Sequence, residues 1–99
     1  MTLKPGVSLK GVRWQMFEAA VRVEGCYEKL GLECVITSGT DGQHIKGSLH
    51  YKGLALDFRK RTVPVAMRPK LLKAIRQALG PDYDVLEESD HVHVELDPE

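Results

Sequence analysis

Apolar residues recur at helical spacing through the first third of the chain. Leu9, Val12, Met16, Ala19, Ala20, Val23, Tyr27 and Leu30 fall at i, i+3/i+4 intervals, which predicts a helix from Ser8, a capping residue type, to about Leu30. Arg13, Glu18, Arg22, Glu24 and Lys29 supply the wetter faces, and Gly31 the stop. Gly11 and Gly25 weaken this helix locally, by up to about 1 kcal/mol each relative to alanine. Trp14 and Phe17 broaden its apolar surface and are expected in the core. Residues 1–7, punctuated by Pro5-Gly6, read as an irregular lead-in.

The period then falls to two. Glu33 to Ser38 holds the β-branched run Val35-Ile36-Thr37 and predicts a strand. A polar loop with three glycines, Gly39 to Ser48, follows; loops this long in small domains are usually functional. Leu54 to Arg59 is a second strand, with Leu54, Leu56 and Phe58 on one face and Ala55, Asp57 and Arg59 on the other. Pro69 to Leu79 predicts a second helix with Leu71, Leu72, Ile75, Ala78 and Leu79 as its stripe, Gly80-Pro81 marking the exit. Tyr83 to Glu88 and His91 to Leu96 predict a hairpin around Ser89-Asp90. The order α-β-β-α-β-β implies an α+β fold: a small antiparallel sheet with the two helices on one face. The opposite face then carries Asp57, His91 and His93 together.

Composition narrows the options. Ninety-nine residues suit one domain with one core. Lysine plus arginine balance aspartate plus glutamate at 14 each, so no charge excess points to nucleic acid or an anionic membrane. No window has the roughly 18 apolar residues of a membrane span. The N-terminus carries no signal-peptide pattern, so synthesis in the cytoplasm is expected. Cys26 and Cys34 lack the paired spacing of a thiolate zinc site and read as buried free thiols.

Three of the four histidines fall in two short segments, Ser48 to Asp57 and His91 to Glu95. His50 and Asp57 lie at the entry to an alternating strand, and His91 and His93 share one face of another whose reverse face, Val92, Val94 and Leu96, is apolar. A lone histidine on a strand is usually a solvated polar residue. Two imidazoles and a carboxylate converging on one face, with a position left for water, instead describe a zinc site of the catalytic type. Strands make rigid supports for such ligands.

The pattern Ser48-x-His50-x-x-Gly53-x-Ala55-x-Asp57 followed by a late His-x-His resembles the zinc peptidase superfamily of lysostaphin, D-alanyl-D-alanine peptidases and hedgehog domains. Within it, the chain is most similar to the D-alanyl-D-alanine carboxypeptidase and L-alanyl-D-glutamate endopeptidase branch found among phage endolysins, over about residues 36 to 96. The resemblance implies Zn²⁺ held by His50, Asp57 and His93, with His91 beside it as a donor to the developing oxyanion. It implies a general base at Asp90, as in the endolysins, or at Glu87, as in hedgehog-like members. A three-residue turn would pair Glu87 with His91; a two-residue turn would bring Glu88 there instead. Gln43, Ser48 and Arg59 are candidate substrate contacts. Carboxypeptidase-type relatives often carry arginine after the Ser-Gly of the first strand, where this chain has Thr40-Asp41.

The activity so implied is hydrolysis of peptidoglycan stem peptides by metal-activated water, in a monomeric single domain that reaches the cell wall by phage-associated release. A non-catalytic, hedgehog-like zinc module is the alternative.

Overall fold

The alternating segments pair into one twisted sheet. The computed structural model describes residues 1–42, 44 and 46–97. Its strands are β1 (Thr2–Leu3), β2 (Val35–Ser38), β3 (Ala55–Arg59), β4 (Tyr83–Glu87) and β5 (His91–Leu96), in the spatial order β1-β2-β3-β5-β4. Two helices, α1 (Trp14–Lys29) and α2 (Arg68–Leu79), complete the α+β architecture. All neighbouring strands are antiparallel except β1 and β2.

Period-two alternation does what it predicts. Leu56 and Phe58 of β3, Val92 and Val94 of β5 and Val85 of β4 are buried in one cluster with Met16, Ala19, Val23 and Tyr27 of α1 and Leu71, Ile75 and Leu79 of α2. Each fully buried aliphatic or aromatic side chain there contributes about 1.5–3 kcal/mol relative to exposure. Pro69 lies in the first turn of α2, and Gly80 closes the helix at φ 83°. Cys26 and Cys34 are buried free thiols, as expected, and burial pushes the Cys34 thiol up to about 12.

Three expectations are corrected. The lead-in contains a strand: the Thr2 amide donates to the Cys34 carbonyl at 3.1 Å and the Lys4 amide to the Ile36 carbonyl at 2.9 Å, adding β1 in parallel. The first helix begins at Trp14, not Ser8. Ser8 is engaged elsewhere, its amide donating to Asp41 Oδ1 at 2.9 Å and its carbonyl accepting from the Thr40 amide at 2.9 Å. Leu9 and Val12 still pack on the core, but from an irregular segment.

Trp14 and Phe17 are not core residues, being 68% and 45% exposed. At 100° per residue they project roughly 100–160° round the helix from the buried stripe, and Val21 shares that outward face at 61% exposure.

Candidate metal centre

Cross-strand register builds the first two-thirds of the site. On antiparallel strands, residues directly opposite share a face. Asp57 of β3 lies opposite His93 of β5, and Arg59 opposite His91. Their neighbours Leu56, Phe58, Val92 and Val94 are at most 1% exposed, which fixes the backbone from which the polar side chains project.

His50 arrives on a turn. Its amide donates to Ser48 Oγ at 3.2 Å, and its carbonyl accepts from the Gly53 amide at 3.1 Å. Gly53 has φ 73°, and a Cβ there would lie 2.0 Å from the Gly11 carbonyl oxygen, so only glycine fits this close approach. The Gly53 carbonyl also accepts from the Arg13 amide at 2.9 Å. The segment ahead of α1 therefore braces the turn that presents His50.

The three side chains meet. His50 Nε2 is 3.2 Å from Asp57 Oδ1 and 3.2 Å from His93 Nδ1, and His93 Nδ1 is 2.9 Å from Asp57 Oδ1. The outer ring nitrogens are spoken for: His50 Nδ1 donates to the Gly39 carbonyl at 2.8 Å and His93 Nε2 to Glu95 Oε1 at 2.7 Å. With those protons placed outside, each ring in its neutral form has a lone pair to turn inward beside the carboxylate oxygen. In that form three acceptors face one another, an arrangement that can hold a cation.

The donor separations are a few tenths of an ångström below the ~3.3–3.6 Å expected between ligand atoms in a tetrahedral cage with ~2.0–2.2 Å bonds. A small expansion would accommodate an ion. His50, Asp57 and His93 form a group able to hold a metal, and the outer contacts orient the rings as the supports of metal-binding histidines do.

Without metal, hydrogen bonds within the trio take that place. Burial alone would raise the Asp57 carboxyl, but the hydrogen bonds from His50 and His93 outweigh it and hold Asp57 well below the usual carboxylate range. His93 is raised, first by its bond to Asp57 and also by Glu95, against the opposing effect of burial.

Around this centre the remaining candidates separate. His91 Nε2 lies 3.5 Å from Asp57 Oδ2, while Nδ1 contacts Asp90 Oδ1 at 2.5 Å, so Asp90 orients the ring. That bond lowers the exposed Asp90 carboxyl. The β4–β5 turn has two residues, Ser89 and Asp90, and the Glu88 amide donates to the His91 carbonyl at 2.9 Å. Glu87 is consequently opposite Val92, on the helix face, with its carboxylate 3.2 Å from Lys60 Nζ. The register thus removes Glu87 from the site and brings Glu88 to the groove beside His91 and His93.

Ser48 lines the same groove but is engaged in holding the His50 turn. Arg59 lines a second groove with His91, and Gln43 lies outside the described residues.

His44 was not signalled by any spacing. Its ring lies flat on that of His50, with centroids 4.0 Å apart and planes 6° apart. Its amide donates to Tyr51 Oη at 2.6 Å, and the Tyr51 hydroxyl donates back to the His44 carbonyl at 3.1 Å. Glu95, by contrast, was on view two residues after His93 on the same strand face. A second carboxylate group, Asp84, Glu95 and Asp97, is mostly exposed, and its Glu95 already serves His93.

No protein-family model matches the chain, and no characterised protein matches it in sequence.

Proposed function

We propose that this protein is a zinc-dependent peptidase that hydrolyses peptide bonds of bacterial peptidoglycan, of the D-Ala-D-Ala carboxypeptidase or L-Ala-D-Glu endopeptidase type. The observation that carries the reading is the inward-facing set of His50 Nε2, His93 Nδ1 and Asp57 Oδ1 at 2.9–3.2 Å, with each ring's other nitrogen tied down. Two imidazoles and one carboxylate form a donor set suited to zinc. The motif resemblance supplies the substrate class.

Zinc held by these three residues would supply a Lewis acid and an acidified water near neutral pH. The protein's own groups do the rest. Asp90 holds His91 so that Nε2 points toward the Asp57 carboxylate, where it can donate to the oxyanion of a tetrahedral intermediate. Asp90, bonded to His91 Nδ1, and Glu88, which lines the groove with His91 and His93, are the two carboxylates proposed to accept the water proton and return it to the leaving amine. The His44 ring covers one face of His50 and limits solvent there.

Metal analysis, together with mass spectrometry of peptidoglycan digested by wild type and His93→Ala, tests the proposal. Stoichiometric zinc and release of new amines by wild type alone are expected. Zinc without cleavage would leave a non-catalytic zinc module. Absence of zinc, with no loss of stability on adding chelator, would overturn the metal reading.

A further inference from the structure

We infer that Lys4, Arg59 and Arg61 form an anion pocket beside the metal centre that takes a free carboxylate of the substrate peptide. The choice of a peptide carboxylate rests on the peptidase reading above; the pocket stands on its own geometry. A groove of about 430 Å³ runs from Asp57 and His91 across β3 and β2 to the end of β1, and these three cations line it.

The sheet order brings them together. Lys4 follows β1, Arg59 closes β3 opposite His91, and Arg61 follows in the next turn. Ile36 pairs with Phe58 while Ser38 pairs with Asp57, so β2 carries one extra residue at this point. Thr37 and Ser38 both line the groove in consequence, which adds hydroxyl donors to the cationic wall.

The charges are unspent. Arg13, Arg22, Arg68 and Arg76 each donate to a backbone carbonyl or a carboxylate. Among the described residues, the side chains of Lys4, Arg59 and Arg61 have no such partner and no ion pair. The acidic groups in the groove are occupied, Asp57 with His50 and His93 and Asp90 with His91. Two guanidinium forks and an ammonium facing a groove whose two carboxylates are already bonded to histidines fit one missing anion, which arginine binds in a bidentate manner.

Arg59 is two residues along β3 from Asp57, a rise of about 7 Å. The anion therefore lies within one or two substrate residues of the reacting bond. A chain-terminal carboxylate and the α-carboxylate of a γ-linked glutamate meet this requirement equally.

The test compares matched peptides on the zinc-loaded protein: a D-Ala-D-Ala peptide against its C-terminal amide, and an L-Ala-γ-D-Glu peptide against its α-carboxamide. Whichever acid is cleaved, Arg59→Gln and Arg61→Gln should raise KM about tenfold or more, with kcat changed less than about threefold. The matching amide should respond little, and Arg59→Lys should recover part of the loss. The cleaved pair identifies the source of the carboxylate. Equal losses on acid and amide would overturn the pocket.

Calorimetric titration with N-acetyl-D-alanine and its amide supplies a readout independent of turnover. Selective binding of the acid should disappear in the Arg59→Gln/Arg61→Gln double variant. Arginine-dependent binding in a protein that cleaves neither acid would uphold the pocket and refute the peptidase reading. Acid binding unchanged in the double variant would refute the pocket, whatever the activity.

Discussion

Asp57 and His93 are held differently from His50. The first two project from adjacent antiparallel strands whose alternate residues are buried to 1% exposure or less. His50 sits on a turn secured by a serine hydroxyl, two short backbone contacts and a glycine of positive φ. The ladder draws its geometry from core packing, so its precision is shared with global stability. The turn draws its geometry from local braces, so it can fail while the fold survives.

Substitutions can separate these two modes of support. The largest effect should come from Phe58→Ala, which empties a fully buried site beneath Asp57 and should cost about 3–5 kcal/mol in denaturant unfolding. Loss below 1 kcal/mol would deny the core its role in holding the ladder. Gly53→Ala forces a Cβ to within 2.0 Å of the Gly11 carbonyl at φ 73° and should cost about 2–4 kcal/mol. Its zinc affinity, measured with a competing chelator, should fall even under conditions where the protein remains folded.

Glu95→Gln keeps the shape of the side chain but weakens the acceptor for His93 Nε2. Zinc affinity should fall about 10–100-fold, with little change in the melting temperature of the metal-free form. An unchanged affinity would show that the His93 ring is oriented by strand packing alone.

The smallest effect is a pH dependence. In metal-free protein, the depressed Asp57 pKa stabilises the fold above its unfolded value, about 3.9, and this is lost as pH falls further. The raised His93 pKa stabilises below its unfolded value, about 6.5, and this is lost as pH rises through the folded value. The difference in melting temperature between wild type and His93→Gln should therefore be greatest between about pH 4 and 6.5 and shrink at pH 8. With zinc present the trend should reverse, since the ion displaces the proton. A metal-free difference that grows toward pH 8 would contradict the raised His93 pKa.

Much of this was legible in the residues. Alternation alone separated Leu56 and Phe58 from Asp57, and Val92 and Val94 from His91 and His93, because strand geometry allows each residue only two directions. The turn between Glu87 and His91 was not legible in the same way: two or three turn residues suit that sequence equally, and the choice decides which glutamate enters the site. Helical spacing at Leu9 and Val12 misled, because apolar residues of an irregular segment can reach the core at the same intervals. His44 gave no signal at all. Its position depends on stacking with His50 and bonding to Tyr51, contacts that exist only once the turn has formed.

The bracing by the segment ahead of α1 has a kinetic consequence. Arg13 and Gly53 are 40 residues apart in sequence, and the bond between them must close a loop that spans all of α1 and β2. Contacts of such separation form after local helices and hairpins, because their closure entropy must be met first. The His50 turn should therefore be completed on the native side of the folding transition state, behind the β4–β5 hairpin that carries His93. An ion bound by both would then retard unfolding while leaving the folding rate nearly unchanged. The lifetime of the folded chain, more than the speed of its assembly, would track the supply of metal.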